Sequence, residues 1–126
     1  MVTPTTFSPA QRELDMVGQT VVVIGGSAGI GLETARLAHV KGADVILTAR
    51  NPDRLHRAGL ELGASIAAFD ATDFERLERF FDQLPTPIDH VLVTGPGPYY
   101  APLSEFDIEK LRGDVDAHLL LPLVIA

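Results

Sequence analysis

Apolar positions fall into two alternating patterns along this chain. Short runs rich in β-branched residues, Val21-Val22-Val23-Ile24, Val45-Ile46-Leu47 and Val91-Leu92-Val93, read as strands that are apolar on both faces and therefore covered on both. Between them lie amphipathic stretches of helical period. The pattern predicts a strand over Thr20 to Ile24, then a helix over Gly29 to Lys41 with Ile30, Ala35, Leu37 and Ala38 toward the sheet. Gly42 stands where a left-handed helix cap is needed. A second strand, Asp44 to Ala49, leads to Asn51-Pro52-Asp53, a helix start with an N-cap side chain, a proline in the first turn and an acid beside it. That helix reaches about Leu62 and stops at Gly63. Ser65 to Phe69 is a short third strand, and Thr72-Asp73-Phe74-Glu75 is a capping box opening a helix that carries Leu77, Phe80, Phe81 and Leu84 and ends before Pro85. Ile88 to Thr94 is the fourth strand. A loop, Gly95-Pro96-Gly97-Pro98, follows it, and Asp107 to Ala126 reads as helix throughout.

Strands alternating with helices imply parallel pairing through right-handed crossovers. The fold class expected is α/β, a doubly wound parallel sheet in three layers, with residues 1 to 17 as a leading tail and 18 to 126 as one domain. The terminal run Leu119 to Ala126 stays apolar to the last residue, and a helix ending without a cap in apolar sequence reads as truncated.

Composition narrows the function classes. The formal net charge of −7 argues against nucleic acid or an anionic membrane surface as main partner. The absence of cysteine excludes disulfides, thiolate metal sites and cysteine nucleophiles. His39, His56, His90 and His118 show no metal-ligand spacing, so no metal site is expected. The longest apolar run, Ala117 to Ala126, is interrupted by His118 and Pro122 and is too short for a membrane span, and the N-terminus lacks the pattern of a signal peptide. The expected location is the cytoplasm.

The segment from Val21 to Gly31 carries the chemistry. A strand ends in Gly25-Gly26-Ser27-Ala28-Gly29-Ile30-Gly31, and a helix follows at once. A helix N-terminus offers unpaired N–H groups and a positive dipole end, and glycines let the backbone turn sharply and let a pyrophosphate come close. The spacing, Gly25-x3-Gly29-x-Gly31, differs from the common G-x-G-x-x-G order. After the second strand, where NAD-binding domains place an acid for the ribose 2′-hydroxyl, this chain has Arg50. A guanidinium pairs with a 2′-phosphate that a carboxylate would repel, so NADP(H) is favoured over NAD(H), with Arg54 one helical turn on.

In this order the motifs resemble those of the short-chain dehydrogenase/reductase family, N-terminal part, whose fold is of the Rossmann type. Ile24 to Gly31 resembles its T-G-x3-G-I-G turn, Arg50 its NADP-selecting arginine, and Asp70-Ala71-Thr72 its D-[VL]-[TS] segment, where the acid meets the adenine amino group. Thr94-Gly95-Pro96-Gly97 stands where the family has N-N-A-G, with both asparagines replaced. The resemblance implies cofactor contacts from Gly25, Ser27, Ala28, Gly29, Ile30, Gly31, Arg50, Asn51, Arg54, Asp70, Ala71, Thr94, Gly95 and Pro96. It also implies hydride transfer between nicotinamide and a small-molecule carbonyl or alcohol, and a homo-oligomer, dimer or tetramer.

His118 falls at the family's catalytic asparagine when counted from Pro102-Leu103, and Asp116 in another register; a histidine there would hold a water by hydrogen bonding. Tyr99 or Tyr100 either lines a substrate or nicotinamide pocket or covers a loop. The family's catalytic serine, tyrosine and lysine lie downstream of this helix in the resemblance; no Tyr-x3-Lys occurs here, since Leu103 follows Tyr99 and Ser104 follows Tyr100 at that spacing. The alternative is a non-catalytic nicotinamide dinucleotide-binding or sensor protein. A binder of another nucleotide or of S-adenosylmethionine fits less well with Arg50, because ribose hydroxyls favour an acid.

Overall fold

The structure, a computed structural model, describes residues 15–126, so the expected leading tail lies outside the described residues over positions 1–14. Four parallel strands form one sheet in the order β3-β2-β1-β4: β1 (Thr20–Ile24), β2 (Asp44–Ala49), β3 (Ser65–Ala68) and β4 (His90–Val93). Helix α1 (Gly29–Val40) joins β1 to β2, α2 (Pro52–Leu62) joins β2 to β3, and α3 (Phe74–Asp82) returns the chain across the sheet to β4. After β4 come a short 3-10 turn (Leu103–Glu105), α4 (Ile108–Val115), a π-helical segment (Asp116–Leu120) and α5 (Leu121–Ile125).

Registry of β1 with both neighbours, Val22 opposite Ile46 and Val91, sets alternate residues on opposite faces. Val21, Val23, Val45 and Leu47 pack with Ala35, Ala38, Leu55, Ala58 and Leu62 of α1 and α2. Val22, Ile24 and Ile46 pack with Phe69, Leu77, Phe80 and Leu121 on the other side. The doubly wound three-layer arrangement read from the alternation is therefore the observed one.

Local chemistry explains the boundaries, and in places it corrects the expectation. Asn51 caps α2 by accepting the Arg54 N–H at 3.0 Å, and Gly63 ends that helix at φ +60°. The cap of α3 is Asp73, which accepts the Arg76 N–H at 3.3 Å, and not Thr72, whose hydroxyl is committed to Asp70. Ile30 and Leu37 do not face the sheet: they are 77% and 64% exposed, and α1 meets the sheet through Gly31, Ala35 and Ala38. Small residues at that spacing let the helix axis approach β1 closely, which the larger side chains would prevent. β3 and β4 are shorter than expected, yet hydrogen bonding continues past them, from Phe69 N to the Ala49 carbonyl (3.0 Å) and from Thr94 N to the Ile24 carbonyl (2.8 Å). The last helix is not uniformly α-helical. Pro122 has no N–H for the carbonyl four residues back, and the turn before it widens so that Leu121 N–H reaches Asp116.

Among the described residues each outer strand has one neighbour. At β3 the Arg76 guanidinium donates to the Ala68 carbonyl at 3.3 Å and lies over the Phe69 ring at 5.6 Å. At β4, Val91 is 39% exposed.

Candidate functional site

The expected site residues converge on one edge of the sheet, where the parallel strands end. Gly25 to Ile30 follow β1, Arg50 and Asn51 follow β2, Asp70 and Ala71 follow β3, and Thr94 to Pro96 follow β4. The chain leaves β1 toward β2 on one side and reaches β4 on the other, so a crevice opens between the ends of β1 and β4, the place where ligands lodge in such sheets.

The glycine turn is held from three directions. Gly25 and Gly26 both donate to the Thr48 carbonyl, at 2.9 and 3.0 Å. Gly25 has φ +89°, and a Cβ there would overlap the Thr94 carbonyl and hydroxyl. A Cβ on Gly31 would overlap the Gly25 carbonyl. Gly29 differs: at φ +55° it too favours glycine, but a Cβ there would meet nothing within 4 Å. Gly29 thus lies against open space at the start of α1.

That start has no side-chain cap. The N-cap of α1 is Ala28, while α2, α3 and α4 are capped by the side chains of Asn51, Asp73 and Asp107. The first N–H groups of α1 are consequently offered outward at the positive end of the helix dipole, beside exposed Ala28, Gly29 and Ile30 and half-buried Ser27. A phosphate supplies what a capping carboxylate supplies elsewhere.

On the β2 and β3 side, Arg50 is exposed and lies close enough to Asp70 to favour its ionised form. Asp70 Oδ1 accepts from the Thr72 hydroxyl at 2.7 Å and the Thr72 N–H at 2.9 Å. The Thr72 hydroxyl above all, then its N–H, hold the Asp70 carboxyl below the usual carboxylate range. The Asn51 side chain is engaged as a helix cap, Arg54 is exposed on the first turn of α2, and Ala71 packs against the core on the α3 face.

At the end of β4 the Thr94 hydroxyl lies 3.1 Å from the Ile24 carbonyl and 3.0 Å from that of Gly25, and locks the strand to the glycine turn. Gly95 and Pro96 are exposed. Tyr99 lies against α4: its phenol oxygen accepts the Asp107 N–H at 3.1 Å, and its ring sits 5.4 Å from Phe106 and 5.6 Å from Lys110 Nζ. Tyr100 is 84% exposed. His118 and Asp116 both lie in the π-helical segment, and His118 Nε2 is 3.9 Å from Asp114 Oδ1. Asp114 escaped the sequence reading, although its placement one helical turn before His118 was visible. Its other oxygen accepts the Tyr99 N–H at 2.5 Å.

Comparison with known proteins bears on the family and the fold. The profile of the short chain dehydrogenases matches residues 19–112. The chain is similar to short-chain dehydrogenase/reductase ATR9 of Stachybotrys chlorohalonatus, 29% identical over 122 residues that cover 86% of this chain and 48% of that protein. Among solved structures it superposes on a short chain dehydrogenase/reductase family protein with a TM-score of 0.79 at 29% identity, over 88% of this chain and 47% of the other. It shares the fold of L-sorbose reductase from Gluconobacter frateurii, solved with NADPH and L-sorbose, with a TM-score of 0.76 at 23% identity over 90% and 47% of the two chains. The chain spans about half the length of these three proteins.

Proposed function

The chain belongs to the short-chain dehydrogenase family, and from that premise we propose that it binds NADP(H) and serves hydride transfer between nicotinamide and a carbonyl or alcohol carbon. The observation that carries this reading is the uncapped start of α1 beside Gly29, whose missing Cβ leaves open space where a pyrophosphate would sit. The side chains around it fit the rest of a dinucleotide. Arg50 would pair with a 2′-phosphate, and Asp70, kept ionised by Thr72, would accept from the adenine amino group. Two of the expected contacts have side chains that serve the scaffold: Asn51 caps α2, and the Thr94 hydroxyl ties β4 to the glycine turn.

When bound, the nicotinamide would supply or take up the hydride. In this reading His118, exposed in its widened turn, would hold a water by hydrogen bonding. No helix among the described residues is long and apolar enough to cross a membrane. The proposed assembly is a homo-oligomer, and the proposed location is the cytoplasm.

Fluorescence titration of the chain with NADPH and NADH tests the binding claim. Tighter binding of NADPH is expected. Failure of both to bind below about millimolar concentration, the weak end of specific affinities, overturns it.

A further inference from the structure

The outer edge of β3 and the face of α3 beside it enclose a groove of about 340 Å³, a volume of small-molecule scale. Its polar lining is rich in donors. Arg76, Arg79 and Gln83 line it from one face of α3 and its C-cap, and β3 contributes Ala68. The Phe69 N–H donates to the Ala49 carbonyl of β2, and amides alternate in direction along a strand, so the exposed Ala68 N–H points away from β2. Buried Phe69 and Phe80, with ring centroids 5.3 Å apart, give the groove an apolar wall that strengthens the field of the cations beside it.

Those cations are under-used. Arg76 engages only Nη2, on the Ala68 carbonyl at 3.3 Å, and lies over the Phe69 ring at 5.6 Å, which leaves Nε and Nη1 unpartnered among the described residues. The Arg79 side chain has no hydrogen bond or ion pair among the described residues, and Glu75, Glu78 and Asp82 of the same helix pair with neither arginine. No acid lines the groove, although the chain as a whole carries a net charge of −7. We propose that this groove binds a phosphate monoester of a small molecule. Two guanidinium groups and a strand N–H offer more donors than a carboxylate can use, and suit the three terminal oxygens of a phosphate dianion. The proposal does not depend on the cofactor reading above.

The isotope-labelled full chain is titrated with inorganic phosphate, and separately with malonate, at constant ionic strength, with amide shifts followed by NMR. Phosphate is expected to shift the Ala68 amide saturably, with a Kd of about 1 mM or tighter. Shifts at Ala28, Gly29 and Ile30 report the start of α1 and are read separately. Arg79→Gln should leave the melting temperature unchanged and raise the Kd read at Ala68 about tenfold, the scale of a charge-assisted hydrogen bond. Arg57→Gln removes an equal charge from an exposed position of α2 and should change that Kd by less than about twofold, since salt screens distant charges. A response at Ala68 that never saturates overturns the proposal, as does an unchanged Kd in Arg79→Gln. Equal weakening in the two variants, or malonate bound as tightly as phosphate, overturns it as well.

Discussion

The Thr94 hydroxyl lies 3.0 Å from the carbonyl of Gly25, across 69 residues of sequence, and makes the end of β4 and the start of the glycine turn one unit. Gly25 in turn has no room for a Cβ because Thr94 occupies it. The contact is half-buried. Thr94→Val keeps the shape and removes the donor, and should lower unfolding free energy by about 1 kcal/mol in urea titration, with Thr94→Ser losing less. A Val variant as stable as wild type would show that the hydroxyl contributes nothing.

Gly25 and Gly29 both have positive φ, yet their substitutions should separate stability from binding. Gly25→Ala meets backbone strain and a clash with Thr94, and a loss above about 2 kcal/mol is expected. Gly29→Ala meets strain alone, about 1 kcal/mol. Its methyl group enters the open space before α1, so NADPH affinity should fall by more than stability does. Calorimetric melting beside NADPH titration checks both; equal affinity in Gly29→Ala and wild type would remove Gly29 from the phosphate site.

Arg50→Asp replaces the guanidinium by a carboxylate facing the proposed 2′-phosphate. NADPH binding should weaken by about 1–3 kcal/mol while NADH binding changes little. An unaltered ratio of the two affinities would show that Arg50 does not select the phosphate.

Asp70 gives the fold a pH dependence of known sign. Its carboxyl is held low in the folded chain, first by the Thr72 hydroxyl, then by the Thr72 N–H and Arg50. A depressed folded value means stabilisation that is present above the unfolded value of about 3.9 and is lost as pH falls through the folded one. Thr72→Val removes the leading donor, so its stability deficit should be full near neutrality and narrow in acid. A deficit constant across that range in urea titrations would assign the effect to packing.

Much of the fold was legible because each strand is bounded by chemistry that acts locally. Asn51, Pro52 and Gly63 fix α2 almost residue by residue, and β-branched runs mark β1 and β2. What escaped depends on partners distant in sequence or on competition between neighbours. The face of α1 is set by how near Gly31, Ala35 and Ala38 let it come to β1, and Ile30 and Leu37, seven residues apart, suggested the wrong side. Thr72 and Asp73 are both of types that favour the N-cap, and the claim of Asp70 on the Thr72 hydroxyl leaves the cap to Asp73. In the candidate site, the turn glycines, Arg50 and Asp70 were read from position alone. The partners of Thr94 and Tyr99 were not, because Ile24, Gly25, Asp107 and Asp114 belong to other elements.

The two outer strands differ in a way that bears on handling the protein. Along β3 an arginine already occupies a backbone acceptor and shields an aromatic ring, a common guard against unwanted pairing. β4 has no comparable guard among the described residues, and its Val91 is partly open to water. In a solution of this 126-residue chain alone, β4 is the strand expected to pair with a second copy, which light scattering checks. A lysine at Val91 is the economical way to keep the chain soluble enough for the titrations above.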